Sequence, residues 1–157
     1  MELADVNLAV PQKFSPMRQA IDRLQVEIIK LPQYEPKTQH YFAEGLYMRL
    51  VWSPAGSVII GKVHKTEHLY AVLTGRAKVT KNNDVLDLNA SRDGPQVLIC
   101  AIGTKRAVVV IEDAWRMNVH LNPDNITDIE ELEKMLVEED ETSPFLPGNK
   151  LKQELLP

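Results

Sequence analysis

The chain has 157 residues, 44% hydrophobic and 25% charged, with a formal charge of −4 at pH 7. That length suits one domain with a real core and excludes two ordinary ones, and the composition excludes a fibrous or wholly disordered chain. An acidic chain with no Lys- or Arg-rich run is also no nucleic-acid coat, since phosphate binding draws on an excess of those residues on some face.

The N-terminal "MELADVNLAVPQKF" lacks a basic segment followed by an apolar run. No later stretch approaches the ~20 apolar residues that cross a bilayer, so no membrane partner is expected. Ser15-Pro16 has the form of an N-cap with proline in the first helical turn, and Met17, Ile21, Leu24 and Ile28 follow at helical spacing until "LPQYEP" breaks it. This helix, from Ser15 to Lys30, has an apolar stripe that needs cover from its own chain or from a neighbouring subunit. "PKTQHYF" reads as a polar linker that leaves His40 exposed. From Leu46 the period becomes that of strands, in "LYMRLVW", "SVIIGKVH", "LYAVLT", "RAKVT", "VLDL", "QVLICA", "RAVVVI" and "WRMNVH", with turn residues between them. Eight short strands with short connections predict an antiparallel barrel or jelly roll. Cys100 is the single cysteine, and its apolar neighbours predict a buried thiol in a reducing, cytoplasmic setting rather than a nucleophile. After Asn122-Pro123 the helical period returns in "TDIEELEKMLVEE", where Thr127 with Glu130 or Asp128 with Glu131 can form a capping box. "DETSPFLPGNKLKQELLP" reads as an arm or tail. The expected division is an arm and helix over 1–40, a barrel over 41–122, and a helix and tail over 123–157, all in one globular domain.

Gly56, Lys62, His64, His68 and Gly75 fall on the spacing G-x5-H-x-H-x3-E-x6-G, and "AIGTKRAVVV" falls on the core of G-x5-P-x-G-x2-H-x3-N through Ala101, Gly103, Arg106 and Val110, with Gly94 one position from the upstream glycine. In these motifs the chain resembles the cupins, which implies an all-β double-stranded β-helix, a jelly-roll barrel, here flanked by an N-terminal and a C-terminal helix with extended termini. In metal-binding cupins three histidines and a glutamate hold the ion. The resemblance puts Lys62 at the first histidine position, His64 at the second, His68 at the glutamate position and Arg106 at the third histidine position. His64 and His68 are the two metal candidates that remain. Cationic neighbours oppose a divalent transition metal, so no cofactor is expected, although such a metal is possible at these two residues. Glu67 cannot complete the site, because it points to the opposite face of the strand from His68.

Lys62, His64, His68 and Arg106 can instead form an anion pocket, with Arg106 offering a planar fork and Lys62 a point charge. A plainly structural alternative has Lys62 and Arg106 reaching the barrel mouth or pairing with Glu44, Asp87, Glu112 or Asp113. His120 is read as a strand-edge histidine, and Trp52 and Trp115 as barrel packing.

The run "GKVHKTEHLYAVLTGRAKV" is similar to small cupin-like proteins of bacteriophage genomes. With the changed ligand set and the long termini, this points to a non-enzymatic protein of assembly, a virion structural or decoration component, forming a homo-oligomer or holding other subunits through its N- and C-terminal arms. Its location is then cytoplasmic, or the virion if the chain is phage-encoded. The alternative is a metal-dependent cupin enzyme of oxygenase or isomerase type, or a small-anion sensor using the barrel pocket.

Overall fold

A computed structural model describes residues 14–155; the first thirteen residues of the expected N-terminal arm lie outside that range. Helix α1 spans Pro16–Ile28, and the Ser15 side chain accepts a hydrogen bond from the Arg18 amide at 3.1 Å. The chain's own barrel covers most of its stripe: Ile21 is buried against Ile60 and Ala107, flanked by Met17 and Ile28, while Leu24 stays exposed. Full burial of one such side chain contributes about 2 kcal/mol.

Nine strands build the barrel: β1 (Lys37–Ala43), β2 (Leu46–Ser53), β3 (Val58–Ile60), β4 (His68–Val72), β5 (Arg76–Lys81), β6 (Asp84–Asn89), β7 (Gln96–Cys100), β8 (Ala107–Glu112) and β9 (Ala114–Leu121). They form two antiparallel sheets, one ordered β1-β2-β9-β4-β7 and the other β3-β8-β5-β6. The arrangement is a jelly roll. Between the sheets lies a core of Tyr70, Val72, Val79, Leu88, Val108 and Val110, all supplied by alternate strand positions, with Cys100 buried beside them. A single helical turn, α2 (Ala90–Asp93), links β6 to β7.

Gly75 shows why the turn that carries the chain from β4 in one sheet to β5 in the other needs glycine. Its φ is +76°, and a Cβ there would overlap the carbonyl oxygen of Asp113. Close backbone approach and left-handed conformation coincide at one residue.

Three features depart from the sequence reading. The linker "PKTQHYF" is strand β1, paired residue for residue with β2 from Lys37↔Trp52 to Ala43↔Leu46. The strand expected over "SVIIGKVH" stops at Ile60, and His64 makes an isolated bridge to Val137. The expected tail folds back onto its own barrel. Helix α3 (Ile129–Leu136), capped by Asp128 through the Glu131 amide at 2.9 Å, buries Leu132 and Leu136 against Tyr47. A small hairpin of β10 (Phe145–Leu146) and β11 (Lys150–Leu151) follows, pinned by Leu151 N–H donating to Glu35 Oε1 at 3.0 Å. No helix among the described residues is long and apolar enough to cross a membrane.

Candidate functional site

The inner face of the larger sheet is polar where a core is usually apolar. Alternation places Tyr47, Arg49 and Val51 of β2, Arg116, Asn118 and His120 of β9, and His68 and Tyr70 of β4 toward the barrel interior. Arg106 arrives from the turn before β8. His64 is held in the interior by its backbone, which donates to Thr104 O at 2.9 Å and accepts from Gly103 N at 2.8 Å.

His64, His68 and His120 are all buried, and each offers a ring nitrogen within 4.8 Å of the others. The reading of His120 as a strand-edge residue is corrected here, because its ring lies 5.4 Å from that of His64 and 5.1 Å from that of His68, centroid to centroid. Burial pushes all three away from the charged form: His68 is lowered to about 4, His120 to about 3 and His64 further still, with Arg106 the next cause for His64. They are neutral at pH 7, with lone pairs to offer. Nδ1 of His64 and Nδ1 of His120 have no hydrogen-bond partner among the described residues.

Arg106 does not reach the barrel mouth and pairs with none of the four expected carboxylates. Its Nη1 donates to His68 Nε2 at 3.1 Å and contacts Cys100 Sγ at 3.1 Å, Nη2 donates to Asn118 Oδ1 at 3.0 Å, and Cζ sits 4.2 Å from the centre of the Tyr70 ring. Asp87 is taken by Arg76 at 2.6 Å, Glu112 by Ser91 at 2.6 Å, Asp113 by the Ala55 amide at 2.8 Å, and Glu44 is exposed. Lys62 donates instead to the carbonyl of Phe145 at 3.2 Å, and burial lowers its pKa.

These groups surround a cavity of about 120 Å³, lined by Arg49, Lys62, His64, Arg106, Arg116 and Glu133 together with apolar and aromatic side chains. Of the four sequence-predicted site residues, Lys62, His64 and Arg106 meet on this cavity, and His68 lies behind Arg106 as its hydrogen-bond partner. Arg49, Arg116 and His120 were missed. The charge is lopsided. Glu133 is bound to Arg49 at 3.0 Å, whereas neither Arg106 nor Arg116 has a carboxylate partner among the described residues. Arg116 is 7% exposed, its Nη2 donates to Ser53 Oγ at 3.0 Å, and its Nε is buried with no partner.

The two-sheet topology has its match among solved structures. The salicylate 1,2-dioxygenase of Pseudoaminobacter salicylatoxidans, as a point mutant, aligns with a TM-score of 0.50 at 10% identity over 76% of this chain and 36% of that one. The fold is that of the cupins. A cupin superfamily protein of Desulfitobacterium hafniense aligns at 16% identity over 71% of this chain and 94% of that one, with a TM-score of 0.47. An RmlC-like cupin of Shewanella frigidimarina aligns at 12% identity over 60% and 79%, with a TM-score of 0.48. No protein-family model and no curated protein matches the chain. On this cupin barrel, the interior histidines include one, His120, outside the two sequence motifs.

Proposed function

We propose that this cupin binds a small anion, of carboxylate or phosphate type, in the barrel cavity. The observation that carries the reading is the pair Arg106 and Arg116, two buried guanidinium groups beside one cavity with no carboxylate partner among the described residues. An unpaired buried charge costs several kcal/mol, and a bound anion removes that cost by charge-assisted, often bidentate, hydrogen bonds. The free Nε of Arg116 and the ammonium of Lys62 add donors. A purely structural role in assembly, in a virion or elsewhere, leaves both guanidinium groups without a counter-ion.

Thermal unfolding with phosphate, sulfate, acetate and benzoate tests the reading. A binding anion stabilises by RT ln(1 + [L]/Kd), about 2.7 kcal/mol at a hundredfold excess over Kd. Saturable stabilisation by at least one of the four is expected; a flat response to all of them defeats the proposal.

A second reading has the geometry of the three histidines in its favour: a transition-metal centre at His64, His68 and His120. Three neutral imidazoles are a good donor set for zinc or iron. A tetrahedral ion with bonds of about 2.0–2.1 Å sets two nitrogens about 3.4 Å apart and lies in both ring planes. The His64 and His68 rings are stacked 3.9 Å apart at 21°, so one has to turn, and Arg106 has to leave His68 Nε2. The donors therefore fit an ion only after rearrangement, which places this reading second.

A further inference from the structure

The cavity has unlike walls, and the two sheets divide them. The larger sheet supplies the polar one. Along β9, Arg116 and Asn118 are successive interior positions, about 6.8 Å apart along the strand. Arg106 reaches across to the second of them and donates to Asn118 Oδ1 at 3.0 Å, beside Tyr70, which the register sets opposite Asn118. The two guanidinium groups that lack a carboxylate partner among the described residues therefore meet along one stretch of one strand, whereas Arg49 is occupied by Glu133 at 3.0 Å. The smaller sheet supplies the apolar wall. Its contribution to the cavity is Val58, Ile59, Ile60 and Val108, without one side-chain donor or acceptor. Ile59 and Val108 are directly opposed across β3 and β8, and Ile28 of α1 and Phe145 of the C-terminal segment add further apolar surface.

Building on the anion reading, we infer that the ligand is a monocarboxylate with an apolar body, a short aliphatic or an aromatic acid. A carboxylate turns both acceptor oxygens to one side and its carbon chain to the other, so it meets the guanidinium groups while its chain lies against Ile59 and Val108. The two-sided ligand fits the two-sided cavity. Phosphate and sulfate carry oxygens on every side, and those turned toward the smaller sheet lose water and gain no donor there. A second carboxylate on an organic acid meets the same obstacle. The apolar wall has the converse requirement: only a ligand that brings carbon to it removes that surface from water, with a gain of about fourfold in affinity for each methylene buried.

Dissociation constants from ligand-dependent thermal unfolding of the full chain test the inference. Acetate, propanoate, butanoate and benzoate are expected to bind with rising affinity, about fourfold per methylene in the aliphatic series, so that butanoate exceeds acetate by at least about tenfold. Phosphate, sulfate and succinate are each expected to bind at least about tenfold more weakly than butanoate. Butanol, which has the chain without the carboxylate, is expected not to stabilise the fold. Ile59→Thr should flatten the aliphatic series and leave acetate binding unchanged. Far-UV circular dichroism checks that it folds, and Ile28→Ala, at a partly buried position on α1, gives the same reading if it does not. An affinity that stays constant along the series, or that neither variant alters, overturns the inference and leaves the anion reading standing. So does phosphate, sulfate or succinate bound as tightly as butanoate. Butanol as effective as butanoate, or no response to any anion, removes both.

Discussion

Arg106 holds His68 in one tautomer. A guanidinium can only donate and a carbonyl can only accept, so the 3.1 Å contact to Arg106 makes Nε2 the acceptor, and the 3.0 Å contact to Thr66 O puts the proton on Nδ1. That is the tautomer an ion at Nε2 would require, with the lone pair already engaged. The anion and metal readings thus compete for one nitrogen.

Replacing Arg106 separates them. Arg106→Met frees the lone pair and removes a neighbouring positive charge, each worth at least about 1 kcal/mol. Calorimetric titration with Zn²⁺ is expected to give affinity at least about tenfold higher in Arg106→Met than in wild type, and His120→Ala added to that variant is expected to abolish the gain. Equal affinities in wild type and Arg106→Met speak against a role for the three histidines in holding metal.

Arg116→Met is expected to act in opposite directions with and without ligand. Without added anion the variant should be more stable than wild type by about 1–2 kcal/mol in urea unfolding, because an unpaired buried charge is exchanged for an apolar chain of similar length. The anion-dependent stabilisation should fall by at least half. A variant that is less stable and still responds fully to anions contradicts the cavity assignment.

Stability should also depend on pH through the histidines. The unfolded chain protonates them near the ordinary value of 6.5, whereas the folded chain protonates His68 only near 4 and His120 only near 3. Between those values the unfolded state binds more protons, so stability is complete above about pH 7 and falls as pH drops through 6.5 toward 4. The urea midpoint between pH 7.5 and pH 5 is the measurement, and His120→Gln should flatten its slope. A midpoint unchanged over that window contradicts the burial described here.

Two glycines of the barrel motif should differ sharply in tolerance. Both have positive φ, but a Cβ at Gly56 meets nothing within 4 Å, whereas one at Gly75 runs into the Asp113 backbone. Gly56→Ala is expected to cost about 1–2 kcal/mol, the penalty of left-handed backbone alone, and Gly75→Ala about 3 kcal/mol or more. Equal losses in denaturant unfolding would remove the steric argument.

Much of this was legible in residue spacing. The two glycine-framed motifs single out Lys62, His64 and Arg106, which meet on one cavity, although the strand expected to carry Lys62 and His64 ends at Ile60. His120 was hidden by its place at the end of "WRMNVH", yet Arg116, Asn118 and His120 stand there at period two, a polar face opposite Met117 and Val119 that marks an interior of unusual polarity. Strand β1 was hidden for a different reason. Lys37, Thr38, Gln39 and His40 are polar on both faces, so no alternation announces a strand whose pairing comes from β2. The fold-back of the C-terminal segment depends on contacts distant in sequence, such as Glu133 Oε1 accepting from Gly148 N at 2.8 Å, and no local pattern encodes them.

That fold-back closes one side of the barrel cavity. Thr142, Ser143, Phe145 and Asn149 stand in the cavity wall, and Phe145 supplies the carbonyl that Lys62 grips. If the cavity binds the anion proposed above, its selectivity is divided between the strands and a stretch of chain outside them, and replacing that stretch alone would retune which guests are admitted while every β-ladder stayed as it is.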